Sequence, residues 1–358
     1  MAPDGQTLVK TSNRILDNIN LIYIEAPMGS GFSVATKKSR NQDFMGLNAD
    51  VKQVLKRILE ETPDLIECDW YFNGDSFCGV MVPYIMFGTR ACLNLKVKGM
   101  ILESPFLGPL QYWSNAPTRA ALIKSGKVYK GCCHQCSCSC YLGCAQTCLA
   151  GRCIGPEKFR DCKLLPWSWP GMSKTKTDVS TKQKTKTLTP NPYNLSEPEY
   201  TPSQETLLPI SRFLFSEKFQ NFVSSSKNGK PSPKFHDPEF STAIYKMAGK
   251  IGSNQICGNS LEANVRITLV SGDSDCIVPF KSQEEQVNIW DWSGGTDFKR
   301  KLWKGLDKRG VIKRKALGGL EWIRHKHCGN LIWKYQPEWR AECLKYAIES
   351  GGQELEAR

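Results

Sequence analysis

Ser76 lies in the stretch WYFNGDSFCG, residues 70 to 79, where aromatic residues meet a Gly-Asp-Ser and a further glycine closes the segment. A serine set between a strand and a helix, with small residues on either side, sits on a turn sharp enough to expose its hydroxyl, as in the Gly-x-Ser-x-Gly nucleophile elbow. Here Gly74 precedes Ser76, Cys78 stands at the second glycine position, and Gly79 follows. The hydroxyl becomes a nucleophile only beside a base, and the base needs an acid to orient it. In sheets of this kind the chain order is serine, aspartate, histidine. Asp275 ends the apolar run of VRITLVSGDSD and is the natural acid, with Asp273 as a rival two residues earlier. The four histidines are His134, His236, His325 and His327, and only the last pair follows the acid.

The elements that must carry these residues are legible in the hydrophobic pattern. INLIYIE, residues 19 to 25, is rich in β-branched and aromatic residues and predicts a buried strand. In NADVKQVLKRILEE the residues Val51, Val54, Leu55, Ile58 and Leu59 recur at helical spacing, and Pro63 stops the helix. DWYFN predicts a short strand ahead of the serine turn. GVMVPYIMFGTRA predicts the helix after it, with Pro83 tolerated in a first turn. VKGMILES, residues 97 to 104, makes a third strand, and the sheet pattern resumes at 265–271 and at LEWIRHKH, 320 to 327. Strands alternating with helices imply a mostly parallel sheet with helices on its faces. A closing helix, QPEWRAECLKYAIES, places Trp339, Cys343 and Ala347 on one face.

Between these parts the pattern breaks for about 150 residues. This stretch holds nine of the sixteen cysteines, between Cys132 and Cys162, a Lys/Thr-rich run at SKTKTDVSTKQKTKTLTP, and turn-rich segments read as loops. The expected division is a core of residues 1–104 and 262–350, an inserted region of 105–261, and a polar tail of 351–358. The spacing of Cys133, Cys136, Cys138 and Cys140 beside His134 is ligand-like but too crowded for one tetrahedral set, so no metal site is assigned. Disulfides are favoured in an oxidising compartment, thiolate-held zinc in the cytosol. Asn194 begins the sequon NLS, compatible with glycosylation.

With 358 residues and 40% hydrophobic content the chain can bury a sizeable core. The net charge of +13 is concentrated in the Lys/Thr run and in 299–315, neither interleaved with aromatics for base stacking, so nucleic acid is not an expected partner. No apolar stretch has the roughly 18 residues of a membrane span, and a membrane is not an expected partner either. The first residues, MAPDGQTLVKTSNR, show neither a charged n-region nor an apolar h-region.

Several segments, in order, resemble the serine carboxypeptidase family of α/β-hydrolases, which includes carboxypeptidase Y, lysosomal protective protein and plant serine-carboxypeptidase-like acyltransferases. NLIYIEAPMGSGFSVA, YFNGDSFCGVMVPYI, LKVKGMILESPFLGP, NPYNLSEP and VSGDSDCIVPF are similar to family segments, and the likeness covers most of residues 10 to 348. The resemblance implies a hydrolase sheet with an inserted cap, no cofactor, a peptide substrate or ligand, and a secretory, vacuolar or lysosomal setting. It assigns Ser76 as nucleophile, Asp275 as acid and the Phe77 N–H as an oxyanion donor. Asp75 takes the place of a carboxylate that helps bind the substrate's terminal carboxylate; the acyltransferases carry aspartate there, which makes acyl transfer an alternative reaction. The cysteine pair Cys132-Cys133 is similar to one in lysosomal protective protein, which implies disulfides in the insert.

Two departures bear on activity. Aligned without a gap, LEWIRHKHCGNLIWKYQPE places Asn330, after Gly329, at the family's histidine position. An amide does not exchange a proton near neutral pH, so the general base is lost. His327, three residues upstream, would be a substitute only if the loop were rebuilt; otherwise His325 and His327 have structural roles on a strand. The second departure is that the family's earlier strands and Gly-Gly-Pro-Gly loop, which supplies an oxyanion donor, do not occur in this sequence. The expectation is a carboxypeptidase-family protein with severely reduced turnover, the alternative being a non-catalytic relative that binds peptides or a partner.

Overall fold

A computed structural model describes residues 7, 19–33, 43–108, 175–177, 184–186, 194, 212–223, 253–275, 278–305, 312–335 and 337–349. The first helix, α1 (Phe44–Glu61), begins ahead of the predicted stretch because Asp43 caps it, its carboxylate accepting from the Gly46 N–H at 2.7 Å. It buries Phe44, Leu47, Val51 and Leu55, while Val54 of the predicted stripe is exposed. A 3₁₀ turn at Pro63–Glu67 then leads into β1 (Asp69–Asp75), α2 (Cys78–Leu93) and β2 (Lys96–Glu103). α2 is apolar on nearly every side because it is sandwiched: Val80, Met81 and Ile85 meet α1, while Val82 and Met86 meet Met100 and Leu102 of β2. Pro83 is not in the first turn, as the sequence suggested, but at the sixth residue of α2, where it withholds a donor from the Gly79 carbonyl.

Next come the short pairs β3 (Thr175–Thr177) and β4 (Lys184–Lys186), the helices α3 (Glu217–Val223) and α4 (Asn254–Glu262), and β5 (Arg266–Gly272). Helices α5 (Phe280–Val287) and α6 (Gly295–Arg300) precede β6 (Lys304–Gly305), β7 (Ile312–Leu317) and β8 (Leu320–His325). The chain continues through α7 (Ile332–Tyr335) to α8 (Pro337–Glu349). The main sheet runs β1-β2-β5-β8-β7-β6. Its first four strands are parallel and its last two join antiparallel.

Side chains alternate across this sheet and both faces are covered, which is why the central strands read as continuous apolar runs. Met100, Leu102, Ile267, Leu269 and Trp322 face the layer of α2 and α4. Ile101, Val270 and Ile323 face the other way, against Cys343, Leu344 and Ala347 of α8. Trp322 centres the first face, its ring 4.8 Å from Phe280 and 5.5 Å from Trp303, its indole N–H donating to Ser271 Oγ at 2.9 Å.

The structure corrects three expectations. Residues 19–25 form no strand, and Leu21, Ile22 and Tyr23 are exposed, Tyr23 at 87%. β-Branched composition gives propensity, but a strand exists only where a neighbour completes its ladder, and no described residue pairs with this segment. The Lys/Thr run contains the antiparallel hairpin β3–β4, with Thr175 opposite Lys186; alternating Thr suits an extended chain. Asn194 is 3% exposed, so its amide is not presented for glycosylation. The cluster Cys132–Cys162, with His134, and His236 lie outside the described residues. The described cysteines, Cys68, Cys78, Cys92, Cys257, Cys328 and Cys343, are all free thiols. No helix among the described residues is long and apolar enough to cross a membrane.

Candidate active site

β1 ends at Asp75 and α2 starts at Cys78, so Ser76 and Phe77 make the whole turn. Ser76 has φ +56°, in the left-handed region, a strain of about 1–3 kcal/mol that surrounding contacts must hold. Three backbone bonds do so. The Ser76 N–H donates to the Glu103 carbonyl at 2.8 Å, and the Ser76 carbonyl accepts from Gly79 at 3.0 Å and Phe106 at 2.8 Å.

The glycines explain the altered motif. A Cβ on Gly74 would lie 2.5 Å from Cys78 Cβ and 2.7 Å from Val82 Cγ2. One on Gly79 would meet the Phe106 carbonyl and Pro105 Cβ, each at 2.6 Å. Close approach of the β2-following loop therefore falls on Gly79, which leaves position 78 free to carry a thiol. Burial, reinforced by the Asp75 charge, pushes that thiol up to about 11, so Cys78 is no thiolate rival to the serine at neutral pH.

Asp75 is enclosed, and its Oδ1 has no hydrogen-bond partner among the described residues. Burial first, and the neighbouring Glu103 second, push its carboxyl up to about 7, against the pull of Arg340 and the Ser76 N–H. Asp75 and Glu103 are register partners on adjacent parallel strands. Phe77 stands at the start of α2, stacked on Phe106 at 5.9 Å, where helical N–H groups point outward.

After β5 the chain turns through two aspartates with separate tasks. Asp273 accepts from the His327 N–H at 2.8 Å and pairs with Arg324 at 3.3 Å. Asp275, 1% exposed, accepts from the Val278 N–H at 2.8 Å and from Asn330 Nδ2 at 2.9 Å. Asn330 is 2% exposed, and its carbonyl accepts from the Ser104 hydroxyl at 2.9 Å. Gly272 lets this loop close, since a Cβ there would lie 2.2 Å from the Cys328 carbonyl.

His327 is not on the strand. β8 ends at His325, and His327 lies beyond it with φ +57°, exposed, its ring bonded neither to Ser76 nor to Asp275. His325 is fully buried on the α8 side, with Nε2 3.9 Å from Cys343 Sγ. Sequence reasoning missed three residues that touch this region: Glu103, Ser104 and Arg340. The one available signal was a carboxylate at the end of the otherwise apolar MILES.

A mostly parallel sheet with a serine on a left-handed turn between strand and helix defines an α/β-hydrolase. The serine carboxypeptidase family model matches residues 1–350, and the chain belongs to that family. It is 22% identical over 308 residues to the pheromone-processing carboxypeptidase kex1 of Aspergillus fumigatus, covering 82% of this chain and 47% of that protein. It is 37% identical over 101 residues to the serine carboxypeptidase-like 49 protein of Arabidopsis thaliana, covering 26% and 20%. The crystal structure of Kex1(delta)p, a prohormone-processing carboxypeptidase from Saccharomyces cerevisiae, matches with a TM-score of 0.67 at 14% identity, over 96% of this chain and 77% of that one. The chain spans about half the length of the curated kex1 proteins it matches.

Proposed function

We propose that the chain carries a serine carboxypeptidase site whose base position is occupied by an amide, so that release of C-terminal residues from peptides is impaired. Ser76 is the nucleophile, Asp275 the acid, the Phe77 N–H an oxyanion donor and Asp75 the group nearest the substrate's terminal carboxylate. Residues 1–104 and 262–350 make the hydrolase core around an inserted region, 105–261.

The carrying observation is the 2.9 Å bond from Asn330 Nδ2 to Asp275 Oδ2. In a working triad an imidazole N–H makes this bond, and its other ring nitrogen takes the serine proton as the Oγ–carbonyl bond forms. An amide reproduces the first contact and has nothing to offer for the second. Asp275 therefore orients a side chain that cannot accept a proton, and the serine attacks without general-base assistance, which typically contributes about 10²–10⁴-fold. The same pair favours a second reading, a relative that binds peptide termini without turning them over. The Asn330 amide and the Asp275 carboxylate satisfy one another, and Asp275 also accepts from the Val278 N–H.

A fluorophosphonate probe and a blocked dipeptide substrate separate these readings. The wild-type chain should label slowly, and Asn330→His should label at Ser76 at least about a hundredfold faster. Rapid wild-type labelling that disappears in His327→Ala would overturn the assignment of Asn330. Labelling without peptide hydrolysis in Asn330→His would favour the binding protein.

A further inference from the structure

Glu103, beside the elbow, is as enclosed as Asp275, with its residue 1% exposed. Its side chain is gripped from two elements. From α8, Arg340 donates Nε to Oε2 at 2.6 Å and Nη2 to Oε1 at 2.8 Å; from β1, Asn73 Nδ2 donates to Oε1 at 3.1 Å. The main chain at the same point serves the site. The Glu103 carbonyl receives the Ser76 N–H, and the next residue, Ser104, sends its N–H to the Val270 carbonyl at 2.7 Å and its hydroxyl to the Asn330 carbonyl. Two adjacent residues thus join the elbow, β5, the Asn330 loop and helix α8.

A buried arginine–carboxylate pair is a poor device for stability alone, because desolvating the ions offsets most of their attraction. A bidentate guanidinium does fix position, since its two parallel bonds admit one orientation. We infer that Arg340 is a positioning residue for the Ser76 site, acting through Glu103 to hold the elbow and, through Ser104, the loop that carries Asn330. The inference rests on the reading of Ser76 as the reacting hydroxyl. It makes α8, which contributes no side chain to the chemistry, part of the scaffold that sets the distance between the two halves of the site. Asp75 is the register partner of Glu103 on the neighbouring strand, so the same guanidinium sits beside both acidic side chains.

Hydrogen exchange measured by mass spectrometry on the full chain tests the positioning. Arg340→Met should speed exchange of the amides of 76–79 and 328–332 by about a hundredfold, the scale of an unpaired buried charge, and leave those of β5 and α1 unchanged. Arg340→Lys should retain most of the protection. The double variant Glu103→Gln with Arg340→Met should restore it by removing the stranded carboxylate. Ser104→Ala removes only the hydroxyl bond to the Asn330 carbonyl and should loosen 328–332 alone. Uniform acceleration across β5 and α1, or unchanged exchange at 76–79, would overturn the inference. In the Asn330→His background the fluorophosphonate rate should fall with Arg340→Met and recover in the double variant. No labelling in Asn330→His, with the exchange pattern intact, would instead sink the reactive role of Ser76.

Discussion

Replacing Asp75 with asparagine should flatten the pH dependence of stability. The carboxyl titrates near 3.8 in an unfolded chain and near 7 in the folded one, because it is buried beside Glu103. Between those values the unfolded state gives up a proton that the folded state keeps. Folding then becomes less favourable as pH rises, at about 1.4 kcal/mol for each pH unit. The stability present below pH 4 is lost on passing through pH 7, in total on the order of 4 kcal/mol from this one group. Asparagine presents a neutral group of nearly the same shape. Urea unfolding at several pH values from 4.5 to 8 should show the two proteins close at the acid end and Asp75→Asn more stable by a few kcal/mol at the alkaline end. Two curves that run parallel across this range would refute the reasoning, since they would mean that residue 75 exchanges no proton on folding.

Other substitutions test the packing. Gly74→Ala pushes a methyl into Cys78 and Val82, at 2.5 and 2.7 Å, and should cost about 1–3 kcal/mol in a denaturant titration. Cys78→Gly in the same chain should recover part of it, because the clash with Cys78 Cβ is removed while that with Val82 stays. Trp322→Ala should cost about 3–5 kcal/mol, read from the urea midpoint, since it empties the space between Phe280 and Trp303 and strips Ser271 of a donor.

How far the sequence discloses this fold depends on the range over which each element is decided. The β1–α2 unit is visible because a short aromatic run, DWYFN, and a longer apolar run, GVMVPYIMF, flank the Gly-Asp-Ser turn, and the strands at 96–103, 266–272 and 320–325 are visible as apolar runs covered on both faces. β7 is hidden because IKRKAL, on the antiparallel side of the sheet, has no apolar run to betray it, and β6 is two residues long. Residues 19–25 mislead for the opposite reason: their side chains suit a strand, but strand formation is a property of pairs. The sequence favours Asp275 at the end of its strand but keeps Asp273 as a rival two residues away; the structure separates them by partner, one to the Asn330 amide and one to the His327 backbone. Glu103 with Arg340 is invisible to any local pattern, since 237 positions separate the two.

That separation has a consequence for how the molecule is made. The elbow strand leaves the ribosome first, and the guanidinium that seats Glu103 and the main-chain carbonyl of Ile348 that receives the Tyr71 hydroxyl follow only 237 and 277 positions after their partners. Until α8 arrives, the nascent hydrolase core holds a buried-to-be carboxylate without its counterion and an uncovered sheet face. A chain stalled before residue 337 should therefore engage chaperones and remain sensitive to proteases. Arrival of α8, rather than of the serine turn, should be the event that locks the core.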